Sequence, residues 1–139
     1  IHMVRNPMDT CYAIYKTLFG QAYPFSYDLG ELATYYIAYR KLMDHWQKVM
    51  PGLILEVAYE DMVTNAEKQA RRLIAHCGLQ WEPGCLEFHK SRSASTTASA
   101  VQIRQPIYSS SIEKWRHYER QLAPLKARLG EAGLVTDSA

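Results

Sequence analysis

Ile1-His2-Met3-Val4-Arg5-Asn6-Pro7-Met8-Asp9-Thr10-Cys11 changes character once, at Arg5, and that change decides the fold. Ile1 to Val4 reads as the end of a buried strand, apolar and short. Immediately after it, Asn6 has the side chain to cap a helix. Pro7 suits the first turn, where its missing N–H is not needed, and Asp9 lies near the positive end of the helix dipole. The spacing predicts a helix from about Pro7 to Phe19, ended by Gly20. Arg5 therefore stands at the carboxyl end of a strand where a helix begins. The first amides there point outward and the dipole favours an anion, so a guanidinium can grip phosphate bidentately. With nothing ahead of the strand, the chain is expected to begin inside a larger fold.

Working outward, Gln21 to Tyr27 is aromatic around Pro24 and is expected to be a packed loop. Tyr23, Phe25 and Tyr27 are read as packing residues, with the lining of an acceptor pocket as the alternative. From Asp28, the positions Leu29, Leu32, Tyr36, Tyr39, Met43 and Trp46 recur at helical intervals, predicting an amphipathic helix to about Val49 that Pro51-Gly52 stops. Leu53 to Val57 is a second short apolar run bounded by turn residues, a mostly buried strand, and Tyr59-Glu60-Asp61 follows at its carboxyl end. Thr64-Asn65-Ala66-Glu67 reads as a capping box, with Ala70, Leu73, Ile74 and Cys77 as the core face and Gly78 as the stop. Glu87 to Gln102 is Ser/Thr/Ala-rich and is expected to be a long loop with a function. Ser110-Ser111-Ile112-Glu113 is expected to cap a helix carrying Lys114, Trp115 and Arg116, and a last helix is expected from Leu122 to Leu129. Two apolar strands, each followed by helices, imply parallel pairing in an α/β sheet, where ligands gather at the carboxyl ends of the strands.

Composition sets limits. A chain of 139 residues, 47% hydrophobic and 22% charged, buries one modest core, so residues 1–139 are read as one domain or a piece of one. A net charge of +2, dispersed along the chain, argues against nucleic acid and anionic membranes as partners. The three cysteines form no C-x-x-C pair and lie near no metal-spaced histidine, and His2, His45, His76, His89 and His117 share no ligand spacing. No metal site and a reducing, cytoplasmic setting are expected. Trp46, Trp81 and Trp115 are read as core. Arg116, His117 and Arg120 are read as a solvated surface.

Val4-Arg5-Asn6-Pro7-Met8-Asp9-Thr10-Cys11 resembles the 3′-phosphate-binding motif of sulfotransferases that use 3′-phosphoadenosine-5′-phosphosulfate (PAPS). Leu55-Glu56-Val57-Ala58-Tyr59-Glu60-Asp61-Met62-Val63 is similar to a strand and following segment of the same superfamily. Ser99 to Tyr108, with Lys114-Trp115 beyond, resembles the donor-binding loop of tyrosylprotein sulfotransferases, and looks closer still to bacterial sulfotransferases fused to tetratricopeptide repeats. The resemblance implies a P-loop-type α/β fold. Its mostly helical carboxyl-terminal portion, with two short parallel strands, is what this chain would represent. It also implies that Arg5 contacts the 3′-phosphate, that Tyr59 lies near the adenosine, and that the loop holding Ser99, Gln102, Arg104 and Tyr108 wraps the nucleotide. Lys114 is implied to reach its phosphates. Ser99 is also placed to stabilise charge on the bridging oxygen as the sulfuryl group leaves.

The chain departs from the family pattern in three places. Where the family has a serine eight residues after the arginine, this chain has Ala13, so that contact is lost or Thr10 or Lys16 replaces it. The glycine-containing loop for the 5′-phosphosulfate and the catalytic base are both expected upstream of residue 1. The expected function is transfer of a sulfuryl group from PAPS to an acceptor hydroxyl by the complete protein, with this chain inactive alone. The alternative is a non-catalytic nucleotide-binding or interaction module on the same fold. A kinase is disfavoured by the absence of a Walker lysine loop. A sheet truncated in this way exposes an edge and apolar surface, so pairing with a second copy is also expected.

Overall fold

The computed structural model describes residues 1–90 and 104–135, which are mostly helical with a two-stranded parallel sheet. They fall into two units, Ile1–Val4 with Leu55–Ser110, and Arg5–Ile54 with Ser111–Ala139.

In the first unit, β1 (His2–Val4) pairs in parallel with β2 (Glu56–Ala58), with His2 opposite Glu56 and Val4 opposite Ala58. The expected parallel pairing is therefore present. Val57 is fully buried, and the His2 ring lies 3.1 Å from the Glu56 carboxylate. The second strand starts later than the expected Leu53. Gly52 turns the chain with φ +80° and Leu53 N–H donates to the Met50 carbonyl at 3.2 Å, so the stop signal extends through Leu53, which is 63% exposed.

Helix α3 (Tyr59–Thr64) follows β2 directly, and α4 (Ala66–His76) follows α3. The capping box does not form. Thr64 Oγ1 turns back to donate to the Glu60 carbonyl at 2.9 Å, so Thr64 closes α3, and Asn65 takes the cap position of α4 without a side-chain hydrogen bond. The far end of α4 closes as expected. Gly78 adopts φ +70°, and Leu79 N–H reaches back to the Ile74 carbonyl, satisfying an orphan acceptor of the last turn. Ala70, Leu73 and Ile74 are half-buried, whereas Cys77 is exposed and Gln69 takes the most buried position of the helix. Trp81 is half-buried beneath the Arg71 guanidinium, 4.2 Å from its ring centre. Pro83–Lys90 is 3₁₀ helix with a kink at Glu87, where the long loop was expected to begin, and the remainder of that loop, residues 91–102, lies outside the described residues.

The second unit holds α1 (Pro7–Tyr15), α2 (Leu29–Val49), α5 (Ala123–Glu131) and 3₁₀ turns at Pro24–Tyr27 and Lys114–Tyr118. Asn6 caps α1 as expected, its Oδ1 accepting from Met8 N–H at 3.0 Å and Asp9 N–H at 3.2 Å. Such a cap is worth about 1 kcal/mol. The helix ends at Tyr15 rather than Phe19 because Thr17 Oγ1 donates to the Ala13 carbonyl and Thr17 N–H to Ile14, tightening the final turn. Asp28 caps α2 through the Glu31 N–H at 2.8 Å. The Gln21–Tyr27 segment packs. The Tyr27 hydroxyl accepts from Phe19 N–H and donates to the Gly20 carbonyl, while Phe25 stacks on Tyr35 at 4.0 Å.

Met8 and Cys11 of α1, Leu32, Ala33 and Tyr36 of α2, and Leu125 and Leu129 of α5 form the core of this unit with Trp115 and Leu122. Trp46 does not join it. It lies 38% exposed, in the half of α2 that supplies no buried side chain. Burial pushes the Cys11 thiol up to about 12, and Tyr36 beside it is likewise raised to about 12, chiefly by burial. The thiolate is the nucleophile, so Cys11 is inert at neutral pH. Iodoacetamide at pH 7.5 is expected to label the exposed Cys77 and Cys85 in the native protein and Cys11 only after unfolding, as read by peptide mass spectrometry. Labelling of Cys11 at the rate of Cys77 would contradict this core.

Candidate functional site

Arg5 joins the carboxyl end of β1 to the cap of α1, the position the sequence predicts. The α1 amides are not open to a ligand in the way expected, because Asn6 Oδ1 already takes those of Met8 and Asp9. The local resource for an anion is therefore the Arg5 side chain. Its guanidinium donates through Nη2 to the Ser111 carbonyl, and the same nitrogen lies 3.9 Å from Asp9 Oδ1.

Asp9, read from the sequence only as an acidic residue near the positive end of α1, has a larger role. One turn along α1 from Arg5 and flanked by core residues, its side chain is fully buried. Its Oδ2 accepts the Glu113 N–H at 2.6 Å and its Oδ1 the Trp115 N–H at 3.2 Å. These are the amides at the start of the 3₁₀ turn Lys114–Tyr118, and that turn has no cap from its own neighbours. Ser110 to Glu113 was expected to provide the cap; a carboxylate more than a hundred residues earlier does so instead. The sequence signal was present but faint: a carboxylate at an apolar helix position, between Met8 and Cys11, four residues after an arginine.

Glu113 adopts φ +57°, the only non-glycine residue with positive φ among those described. That conformation costs about 1–2 kcal/mol. Hydrogen bonds to a charged acceptor contribute about 1.5–3 kcal/mol each, enough to hold it. Tyr12 of α1 stacks on Tyr118 at 5.1 Å, a second contact between the same two elements. Burial, followed by the Tyr118 hydrogen bond, raises the Tyr12 hydroxyl above its ordinary range.

Lys114 lies between the two amides that Asp9 accepts and is half-buried, so the Arg5 side chain and the backbone flanking Lys114 are held by one carboxylate within the second unit. Thr10 and Lys16, the candidates to replace the serine missing at Ala13, are engaged elsewhere. Thr10 hydrogen-bonds Tyr36, and the Lys16 ammonium sits 5.1 Å over the Tyr12 ring. Arg116 is exposed and pairs with Glu113 at 3.0 Å, the surface role expected of it.

In the first unit, Tyr59 is the first residue of α3, directly after β2, and is half-buried. Arg104 is exposed and Tyr108 half-buried. Ser99 and Gln102 lie outside the described residues. Among the described residues no cluster of histidine, cysteine and carboxylate groups is arranged to hold a metal ion, and no helix is long and apolar enough to cross a membrane.

A model of the Sulfotransferase family matches residues 1–83, which include Arg5, Asp9 and Tyr59. An uncharacterised protein of Aquifex aeolicus is 37% identical over 128 residues, 90% of this chain and 17% of its own length. An omega-hydroxy-beta-dihydromenaquinone-9 sulfotransferase of Mycobacterium bovis is 30% identical over 122 residues, 82% of this chain and 30% of its own length. The chain thus spans less than a third of each of these relatives.

Proposed function

The chain belongs to the sulfotransferase family, and from that premise we propose that it binds the adenosine 3′,5′-bisphosphate portion of PAPS in a protein that sulfates an acceptor hydroxyl. The observation that carries this reading is that one buried carboxylate holds both the Arg5 guanidinium and the backbone on either side of Lys114.

The residues present fit a phosphate dianion in part. A guanidinium is a five-donor fork, able to hold a protein acceptor and a phosphate oxygen together, and an ammonium adds a compact positive charge. Against this stand Ala13 in place of a hydroxyl and the α1 amides taken up by Asn6. On this reading Arg5 holds the 3′-phosphate, Lys114 adds charge at the phosphates, and Tyr59 packs near the adenosine. Ser99, Gln102, Arg104 and Tyr108 enclose the nucleotide on a P-loop-type α/β fold. The donor, when bound, supplies a sulfuryl group. Its S–O bond to the bridging phosphate oxygen breaks as the acceptor oxygen bonds to sulfur, and the hydroxyl proton passes to a base. Ser99 donates to that bridging oxygen, and the chain as a whole contributes position and charge rather than a covalent intermediate. The acceptor class is a hydroxyl compound. The mycobacterial relative is named for an omega-hydroxy menaquinone, and a long apolar alcohol is accordingly the first acceptor to assay.

Ala13 also favours a second reading, a nucleotide-binding module on this fold without catalysis. Calorimetric titration of the full-length protein with adenosine 3′,5′-bisphosphate and with 5′-AMP tests the shared step. The bisphosphate is expected to bind at least about tenfold tighter, the value of one charge-assisted hydrogen bond. Equal affinities would reject the assignment of the 3′-phosphate to Arg5. Sulfate transfer from PAPS by the same preparation separates the enzyme from the module.

A further inference from the structure

We infer that Asp9 is a positioning residue of the proposed donor site, setting Arg5 and the backbone on both sides of Lys114 from a single buried point. The inference rests on the donor-site reading above. A buried carboxylate is costly unless it is hydrogen-bonded, and Asp9 meets that need with partners from one short segment, the amides of Glu113 and Trp115. Arg5 is fixed from two sides, by Asp9 Oδ1 at 3.9 Å and by the carbonyl of Ser111, which begins the same segment. The strained φ of Glu113 turns its N–H and, two residues on, that of Trp115 toward the carboxylate, so Lys114 is pinned at both of its backbone neighbours. The Asp9 oxygens are engaged by these protein partners. Asp9 acts by fixing the Arg5 guanidinium against the backbone that carries Lys114, so its loss is expected to weaken recognition of the 3′-phosphate more than recognition of the nucleoside.

The test compares the full-length protein with its Asp9→Asn variant by titration with adenosine 3′,5′-bisphosphate and 5′-AMP, and by hydrogen exchange at the Glu113 and Trp115 amides. The expected results are a fall of about tenfold in bisphosphate affinity, little change for 5′-AMP, and lost protection of those two amides while the α2 amides stay protected. In the Asp9→Asn, Lys114→Ala double variant, affinity is expected to fall no further than in the weaker single variant, because one residue acts through the other. Unchanged protection at Glu113 and Trp115 would overturn the inference whatever the protein binds. So would loss of protection without loss of 3′-phosphate preference, or an equal fall for both nucleotides, which marks a merely structural role. If the unsubstituted protein shows no preference for the bisphosphate, the donor-site reading fails on its own, and the exchange result still decides whether Asp9 holds the segment. Should Asp9→Asn not fold, Asp9→Glu, which keeps the charge but moves it by one methylene, is read in the same way.

Discussion

Replacing Arg5 by alanine in the full-length protein is expected to lower affinity for adenosine 3′,5′-bisphosphate by about 100-fold, with 5′-AMP affected by less than about threefold. The first figure corresponds to a bidentate, charge-assisted pair between a guanidinium and a phosphate. The second follows because 5′-AMP lacks the group that Arg5 is proposed to hold. Arg5→Lys is expected to recover only part of the loss, since an ammonium presents a point charge rather than a planar fork. The side chain also serves the protein itself, through the Ser111 carbonyl and Asp9, so Arg5→Ala should cost about 1–3 kcal/mol of stability as well. Titration well below the melting temperature, with melting curves recorded alongside, keeps the two effects apart. A variant that still prefers the bisphosphate by the original ratio would sink the assignment of Arg5.

Leu125→Ala carries the largest expected cost in stability. Leu125 is fully buried on α5 among Leu32, Leu129 and Trp115, in a core drawn from three helices and one 3₁₀ turn. Truncation removes the transfer free energy of the lost atoms and leaves a cavity that helices of fixed spacing fill poorly, so a loss of about 3 kcal/mol is expected. In thermal melts this is a fall of roughly 10 °C. The same change at Leu79, which is 62% exposed, should be close to neutral. Similar losses at both positions would mean that the core lies elsewhere.

The contrast between Asn6 and Asp9 shows what could be read from the sequence. Asn6 satisfies amides two and three residues away, so its role is legible from spacing alone, as are the length of α2 and the stop at Gly78. The family likeness was legible on the same terms, because its motifs are short and contiguous. Asp9 satisfies amides at a separation of 104 and 106 residues, and nothing in its neighbourhood announces them. Local patterns failed where two local solutions compete. Thr64 has the composition of a capping box yet bonds backward to Glu60, and Thr17 ends α1 early by bonding to Ala13. Trp46 followed the periodicity of α2, but only the first half of that helix supplies buried side chains, Leu32, Ala33 and Tyr36. Of the proposed site, Arg5, Tyr59 and Lys114 were legible as motif positions, whereas the carboxylate that relates Arg5 to Lys114 was not.

The span closed by Asp9 also bears on how the protein is made. Closing a loop costs entropy that grows with the logarithm of its length, about 0.6 kcal/mol for each doubling, so contacts at a separation of 104 residues form late relative to the helices they connect. The arginine motif is translated before the Ser111–Trp115 segment. Its buried carboxylate has no partner from Glu113 or Trp115 until residue 115 has been synthesised and has cleared the ribosome. Until then α1 carries an acidic group that water must solvate, which keeps the helix at the surface of the nascent chain. Arrival of the Ser111–Trp115 segment lets the carboxylate go under, so burial of this part of the core and positioning of Arg5 become one event in biosynthesis.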